Sequence, residues 1–119
     1  RITVLGTAFK PNTDDVRDSI AIGLIKKLLK KKSRITIYDP KAMKNTRNIF
    51  GEKIVYARSV TDALNKSQCV ILMTHWKQFE RFNNNSMKRM SKKFIIDCRR
   101  ILVEKGLQAE YHAIGIGKI

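Results

Sequence analysis

A polar segment near the start of the chain carries the residues best suited to ligand chemistry. Residues 6–19 follow a strand-like apolar run and precede a helical pattern. At roughly a dozen residues, the segment is about twice as long as most strand-to-helix connections. It places an aromatic ring beside a cation, Phe9 and Lys10, and adds a second cation, Arg17, at the helix start. Together these residue types can bind a phosphate and a flat ring.

Spacing alone leaves two interpretations of this segment open. In the first, Lys10 and Arg17 bind a phosphate and Phe9 lines the pocket. In the second, Phe9 packs in the core, Lys10 is solvated, and Arg17 pairs with Asp14 or Asp15. In open α/β sheets, ligands bind beyond the carboxyl ends of the strands, where this segment is expected to lie.

Two glycine-rich phosphate motifs are missing from the sequence. The dinucleotide fingerprint G-x-G-x-x-G needs three glycines for its tight turn and close approach to the pyrophosphate, and residues 6–19 contain only Gly6. No P-loop, G-x-x-x-x-G-K-[ST], occurs. We therefore do not expect this domain to hold a dinucleotide by itself.

Short apolar runs alternate with helical patterns along the chain. Strands are predicted at residues 2–6, 34–38, 53–56, 69–74, 94–97 and 110–114. Between the first two, apolar residues recur at helical spacing: Ile20, Leu24, Ile25, Leu28 and Leu29. Asp18 or Ser19 can cap this helix. The alternation predicts an α/β fold, a Rossmann-like three-layer sandwich with a mainly parallel sheet of five to six strands.

The remaining helices are predicted from weaker patterns. Residues 41–50 and 59–66 each favour a helix, the second begun by Ser59 or Thr61. A short basic helix is predicted around residues 87–90, after an asparagine-rich loop. Residues 99–107 fit either a loop or a helix.

Composition bounds the class of protein. With 119 residues the chain has room for one core, and 43% hydrophobic against 29% charged residues excludes global disorder. The two cysteines do not suggest a disulfide scaffold, and no apolar run is long enough to span a membrane. We expect a single soluble domain in the reducing cytoplasm, with no membrane partner.

The charge balance points to anionic partners. Lys and Arg number 25 against 10 Asp and Glu, a net charge of +15. The lysines of residues 26–32 and the basic residues of 88–93 could form a nucleic-acid face, so a basic α/β nucleic-acid-binding domain is the alternative hypothesis. No helix-turn-helix, zinc finger or stacking platform accompanies the charge, which favours a solvated helix exterior. A free-standing regulatory nucleotide-binding module is a third hypothesis.

The histidines and cysteines suggest no metal site. His75 and His112 are isolated in sequence, and no C-x-x-C or H-x-x-x-H pair occurs. We predict core or rim packing for both histidines and no metal. Cys69 is interpreted as a buried strand residue and Cys98 as structural.

A series of motifs in order gives the chain a recognisable character. They are A-F-K-P-N-T-D-D-V-R-D-S at 8–19, I-Y-D-P-K-A at 37–42, C-V-I-L-M-T-H-W at 69–76 with Phe79, I-D-C-R-R at 96–100 and Y-H-A-I-G at 111–115. In this order they closely resemble the C-terminal domain of the UDP-glucose/GDP-mannose dehydrogenase family. The first motif is long and specific, and the resemblance covers essentially the whole chain.

The resemblance implies that the chain functions as one domain of a longer enzyme. Such enzymes oxidise the C6 alcohol of a nucleotide sugar to a carboxylate in two NAD-dependent steps, through a covalent intermediate on a cysteine. An N-terminal Rossmann domain binds NAD, a long central helix dimerises, and the C-terminal domain holds the substrate nucleotide. Residues 1–119 are thus expected to be a single UDP-binding domain excised from a longer homodimeric dehydrogenase, inactive alone and without a catalytic residue of its own.

Site residues also follow from the resemblance. Phe9 and Lys10 match the family positions that contact the nucleotide sugar, and Arg99 matches the arginine of the D-G-R motif that reaches the substrate. Arg17 matches an arginine that approaches NAD across the domain interface. Cys98 stands where the family usually has glycine.

Overall fold

The computed structural model describes residues 1–114, in which six strands alternate with three α-helices. These elements are β1 (Ile2–Leu5), α1 (Ile20–Lys30), β2 (Ile35–Tyr38), α2 (Met43–Phe50), β3 (Val55–Tyr56), α3 (Val60–Leu64), β4 (Cys69–Leu72), β5 (Phe94–Asp97) and β6 (Glu110–Ala113). Short 3₁₀ helices cover Gly51–Lys53, Lys77–Arg81 and Asn84–Met87. Within residues 1–114, no helix has the length and apolar character needed to cross a bilayer.

One sheet contains all six strands in the order β3-β2-β1-β4-β5-β6, and every neighbouring pair is parallel. The chain moves outward from β1 to β3 and then returns to the other side of β1 for β4. All strands therefore end at one edge, here called the carboxyl edge, with the change of direction between β1 and β4. The predicted Rossmann-like α/β fold is confirmed, and the sheet is parallel throughout.

Successive residues of each strand face two different cores, because side chains alternate along a strand. On one face, Val4, Ile37 and Ile71 pack with Ile22 and Ile25 of α1. On the other, Leu5, Leu72 and Ile95 pack with Ala63 and Leu64 of α3 and with Phe79. Helices thus cover both faces of the sheet, which explains the near-continuous apolar runs of the central strands.

The first and third helices follow from local signals in the sequence. α1 buries Ala21, Ile22 and Ile25, and its last turn carries Lys27 and Lys30, where the helix dipole favours cations. At the start of α3, the Ser59 hydroxyl accepts a hydrogen bond from the backbone N–H of Asp62 at 3.0 Å. Both helices were predicted, and the Ser59 cap is confirmed.

The chain between β4 and β6 departs from the sequence prediction. The helix predicted at residues 87–90 was wrong in position, because Asn83 and Ser86 form a reciprocal capping box that starts a 3₁₀ helix at Asn84. Residues 99–107, for which the sequence left loop and helix open, form turns and bends. The 3₁₀ helix Lys77–Arg81 had no clear sequence signal, and Gly115 of the last motif lies outside the described residues.

Candidate functional site

The loops that follow β1 and β4 meet at the carboxyl edge of the sheet. Gly6 directly follows β1 with φ +94°, and a Cβ placed on it would lie 2.5 Å from the Thr74 Cβ. This close approach lets the Thr74 hydroxyl donate a hydrogen bond to the carbonyl oxygen of Ala8 at 2.7 Å. The loop that carries Phe9 and Lys10 therefore starts at the switch point of the sheet, where such folds bind ligands.

A buried carboxylate at the end of β2 holds the start of this loop. Asp39 is 1% exposed. It accepts five hydrogen bonds of 2.8 to 3.1 Å, from the backbone N–H groups of Thr7, Ala8, Lys41 and Ala42 and from Nε1 of Trp76. These donors compensate the removal of the carboxylate from water, and they fix the loop relative to β2 and β4.

Phe9 and Lys10 leave the core together. Ala8 is buried, whereas the next residue, Phe9, is 38% exposed. The Lys10 Nζ lies 5.4 Å from the centroid of the Phe9 ring, a distance at which a cation is attracted to the ring face. The interpretation that placed Phe9 in the core was wrong, while the solvated Lys10 it included is observed.

Arg17 forms a two-pronged ion pair within the same loop. Its Nη2 donates to Oδ2 of Asp15 at 2.8 Å, and its Nε donates to Oδ1 at 3.0 Å. These side-chain hydrogen bonds, helped by one from the Arg17 backbone N–H, lower the pKa of Asp15 to about 2. The sequence left Asp14 and Asp15 open as partners, and the structure selects Asp15. The Arg17 side chain remains 86% exposed.

Arg99 reaches the carboxyl edge from the end of β5. Its Nε donates to the carbonyl oxygen of Met73 at 2.8 Å, and Met73 directly precedes the Thr74 that holds Ala8. Within residues 1–114, its two terminal guanidinium nitrogens donate no hydrogen bond. The structure thus brings Lys10 and Arg99 to the same edge, with the end of β4 between their loops.

A second buried carboxylate, Asp97, holds the turn that carries Arg99. Its Oδ1 accepts from the Arg99 backbone N–H at 3.2 Å, and its Oδ2 accepts from the Leu102 N–H and the Tyr111 hydroxyl, both at 2.7 Å. Burial is the largest cause of the raised pKa of the Tyr111 phenol, and the hydrogen bond to Asp97 and the negative charge of Asp97 raise it further. Asp97 therefore links the turn after β5 to β6, through the hydroxyl of Tyr111.

Sequence reasoning assigned no role to Asp39, Asp97, Thr74 or Trp76. A signal was present, since each aspartate stands at or directly after the end of a predicted buried strand. A carboxylate in that position must find several donors, and in a parallel sheet those donors come from loops at the carboxyl edge.

Cavities open at both ends of the sheet. At the carboxyl edge, one of about 320 Å³ is lined by Pro11, Asn12, His75, Lys77 and Glu80. At the amino edge, a larger one of about 680 Å³ contains Arg1, Lys32, Arg34 and Lys92. We place the candidate site at the carboxyl edge, because parallel α/β sheets bind ligands there despite the greater volume at the other end.

The histidines and cysteines take part in local contacts. Exposed His75 lies 2.8 Å from Glu80, and exposed His112 lies 3.0 Å from Glu110. Cys69 lies partly buried in β4 and Cys98 is partly buried after β5; burial raises the pKa of both thiols. A raised pKa keeps a thiol protonated at neutral pH and favours a structural role.

Comparison with known proteins places this geometry in a family. The model of the UDP-glucose/GDP-mannose dehydrogenase family, UDP binding domain, matches residues 3–104. The chain belongs to this family. Its resemblance to the family's C-terminal domain, read from the motifs, is thereby confirmed, and the nucleic-acid alternative finds no support.

Relatives of the family match the chain over most of its length. The UDP-glucose 6-dehydrogenase AglM of Haloferax volcanii is 40% identical over 92% of the chain and 25% of its own length. A UDP-glucose 6-dehydrogenase of Rhizobium meliloti is 36% identical over 85% of the chain and 23% of its own. The solved structure of a UDP-glucose dehydrogenase from Pyrobaculum islandicum superposes with a TM-score of 0.80 at 32% identity, over 93% of the chain and 24% of that structure. The chain spans about a quarter of the length of these family members.

Proposed function

We propose that the chain binds the nucleotide of a UDP-sugar within an NAD-dependent UDP-sugar 6-dehydrogenase, which oxidises the C6 alcohol of UDP-glucose or a related sugar to a carboxylate. The UDP-glucose 6-dehydrogenases among its relatives support this activity for the whole protein. The residues of the chain itself are proposed to bind and orient the substrate, and none of them is assigned a catalytic role.

The placement of Lys10 and Arg99 on loops at the same edge of the sheet carries the proposal. Lys10 is an exposed point charge with three donors, suited to a phosphate oxygen or a sugar hydroxyl. The Nε of Arg99 donates to the Met73 carbonyl, and its two terminal nitrogens lie in the same plane, an arrangement that fits two oxygens of a diphosphate. The exposed Phe9 ring supplies a wall beside Lys10.

NAD is assigned mainly to the N-terminal domain of the whole enzyme. The end of β1 offers no cradle for a dinucleotide, because Thr74 fills the space beside Gly6 and the next residue, Thr7, is fully buried. When bound, NAD accepts the hydride from the substrate. Arg17 is the residue proposed to contact it across the domain interface, and its exposure leaves it accessible to an incoming anion.

The assembly and location of the whole protein are part of the same proposal. Its partners are the N-terminal NAD-binding domain, the central helix and a second copy of the enzyme in a homodimer. Both cysteines are free thiols, which suits the reducing cytoplasm.

Titration of the full-length protein with UDP tests the proposal. Lys10→Ala is expected to raise the Kd for UDP by about tenfold or more, the loss typical of a hydrogen bond to a charged group. The matched control is Lys30→Ala, which removes an exposed lysine from the last turn of α1. Equal UDP affinity in the Lys10→Ala variant and the wild type would overturn the site, and a wild type that does not bind UDP would overturn the function.

A further inference from the structure

Residues 7 and 8, here called the anchor, form backbone hydrogen bonds with side chains from three other parts of the chain. Asp39 accepts from both of their backbone N–H groups, at 2.8 and 3.0 Å. The Ser19 hydroxyl donates to the Thr7 carbonyl at 2.7 Å, and the Thr74 hydroxyl donates to the Ala8 carbonyl at 2.7 Å. Every backbone polar group of the anchor is thus bonded to a buried side chain.

We propose that Asp39, Thr74 and Ser19 are positioning residues for nucleotide binding. They hold the anchor rigid so that Lys10, two residues further along, faces the ligand before it arrives. The inference rests on the proposed function, since it assumes that Lys10 binds the UDP moiety.

One of these contacts departs from the usual local chemistry of a helix. Ser19 occupies the N-cap position of α1, where a serine oxygen normally accepts a hydrogen bond from the helix backbone. Here the side chain makes no cap hydrogen bond, and its hydroxyl donates to Thr7 instead. A local preference given up in this way often marks a functional constraint.

The anchor is also the last buried part of the chain before the exposed cation. Beyond it, Phe9 and Lys10 are exposed, and the Phe9 N–H donates to the Asp15 carbonyl at 2.9 Å. A side chain already held in its bound position loses less conformational entropy when the ligand binds. Loosening the anchor should therefore weaken binding through Lys10, even where the fold is retained.

Thr74→Val removes one of these hydroxyls with little change of shape, and the chain offers a matched control. Thr3 is 1% exposed against 2% for Thr74; its hydroxyl donates to the Ala63 carbonyl at 2.6 Å, lies 2.9 Å from the Ser67 hydroxyl and makes no hydrogen bond to the anchor. Both valine variants should lower the thermal unfolding midpoint of the full-length protein to a similar degree. Only Thr74→Val should also raise the Kd for UDP, by about fivefold for one lost hydrogen bond.

A double-mutant cycle shows whether Thr74 acts through Lys10. In the Lys10→Ala background, Thr74→Val is expected to change the Kd for UDP by less than about twofold, because the contact it positions is already gone. Ser19→Ala is the second variant; it should weaken UDP binding in the wild-type background and have as little effect in the Lys10→Ala background.

Three results would overturn the inference. They are unchanged UDP affinity in both the Thr74→Val and Ser19→Ala variants, an equal loss in Thr3→Val, or the same fold loss with and without Lys10. Each presupposes a wild type that binds UDP, so they are distinct from failure of the proposed function, which the first wild-type titration reveals and which overturns both.

Discussion

Nε of Arg99 donates a hydrogen bond to the carbonyl oxygen of Met73 at 2.8 Å. This contact ties a side chain from the end of β5 to the backbone at the end of β4. A lysine carries a single terminal ammonium and has no N–H at the ε position. It therefore cannot make this contact and also offer two further nitrogens in one plane to a ligand. The orientation of the guanidinium therefore depends on its being an arginine.

Arg99→Lys tests this dependence. The substitution keeps the charge but removes the contact with Met73 and the paired donors, so we expect the Kd for UDP to rise by about tenfold. Arg100→Lys is the control, because among residues 1–114 the Arg100 side chain makes a single, long hydrogen bond, of 3.4 Å to the Ala113 carbonyl. Calorimetric titration of both variants measures the difference, and equal affinities would argue against a bidentate role for Arg99.

Two glycines should respond in opposite directions to alanine. At Gly6, a Cβ would lie 2.5 Å from the Thr74 Cβ and the backbone has φ +94°, so Gly6→Ala should lower the free energy of unfolding by about 3 kcal/mol. At Gly23, within α1, a Cβ would have no atom within 4 Å apart from the adjacent residues and backbone of its own helix. Gly23→Ala should raise the free energy of unfolding by about 0.5–1 kcal/mol, through the better helix propensity of alanine. Urea denaturation of the two variants checks the signs.

The ion pair of Arg17 predicts an acid-range titration. Because the pKa of Asp15 is about 2 rather than 3.8, the pair favours the folded loop above pH 3.8, and this contribution is lost as the pH falls toward 2. Arg17→Ala should bring the pKa of Asp15 back toward 3.8. The Asp15 carboxyl shift, followed by NMR against pH, gives both values. A midpoint that stays near 2 in the variant would exclude Arg17 as the cause.

Tyr111 predicts an alkaline-range titration. Its pKa is raised from 10.0, chiefly by burial and then by its hydrogen bond to Asp97. The folded state therefore favours the protonated phenol, and the stability gained is complete below pH 10 and declines as the pH rises above it. Ultraviolet titration should show a late-ionising phenol that is missing from the Tyr111→Phe variant.

The same substitution tests the fastening of the turn after β5. Tyr111→Phe should lower the free energy of unfolding by about 1 kcal/mol, because Asp97 loses one donor and keeps the Leu102 N–H. Tyr38→Phe is the control, since the Tyr38 hydroxyl makes an exposed 3.3 Å contact with Gln78. An equal loss of unfolding free energy in the two variants would mean that the hydrogen bond to Asp97 stabilises the fold no more than the exposed contact of Tyr38 does.

Local patterns were sufficient for the strands and for the first helix of the fold. The strands, α1 and the cap at Ser59 could be read from residue order, because apolar periodicity and capping act over a few neighbouring residues. The 3₁₀ helix at Asn84 was misplaced because its capping box competes with the helical propensity of the residues after it. For the binding residues, the motifs indicated Phe9, Lys10 and Arg99, and these stay a prediction until UDP binding is measured.

Contacts between distant parts of the chain were decided only by folding. The order of strands brings the ends of β1, β4 and β5 together, and so Lys10 and Arg99 share an edge. The roles of Asp39 and Thr74 have the same origin. A buried carboxylate or hydroxyl takes whichever donors and acceptors the packed loops place around it, and no local pattern of residues specifies those partners.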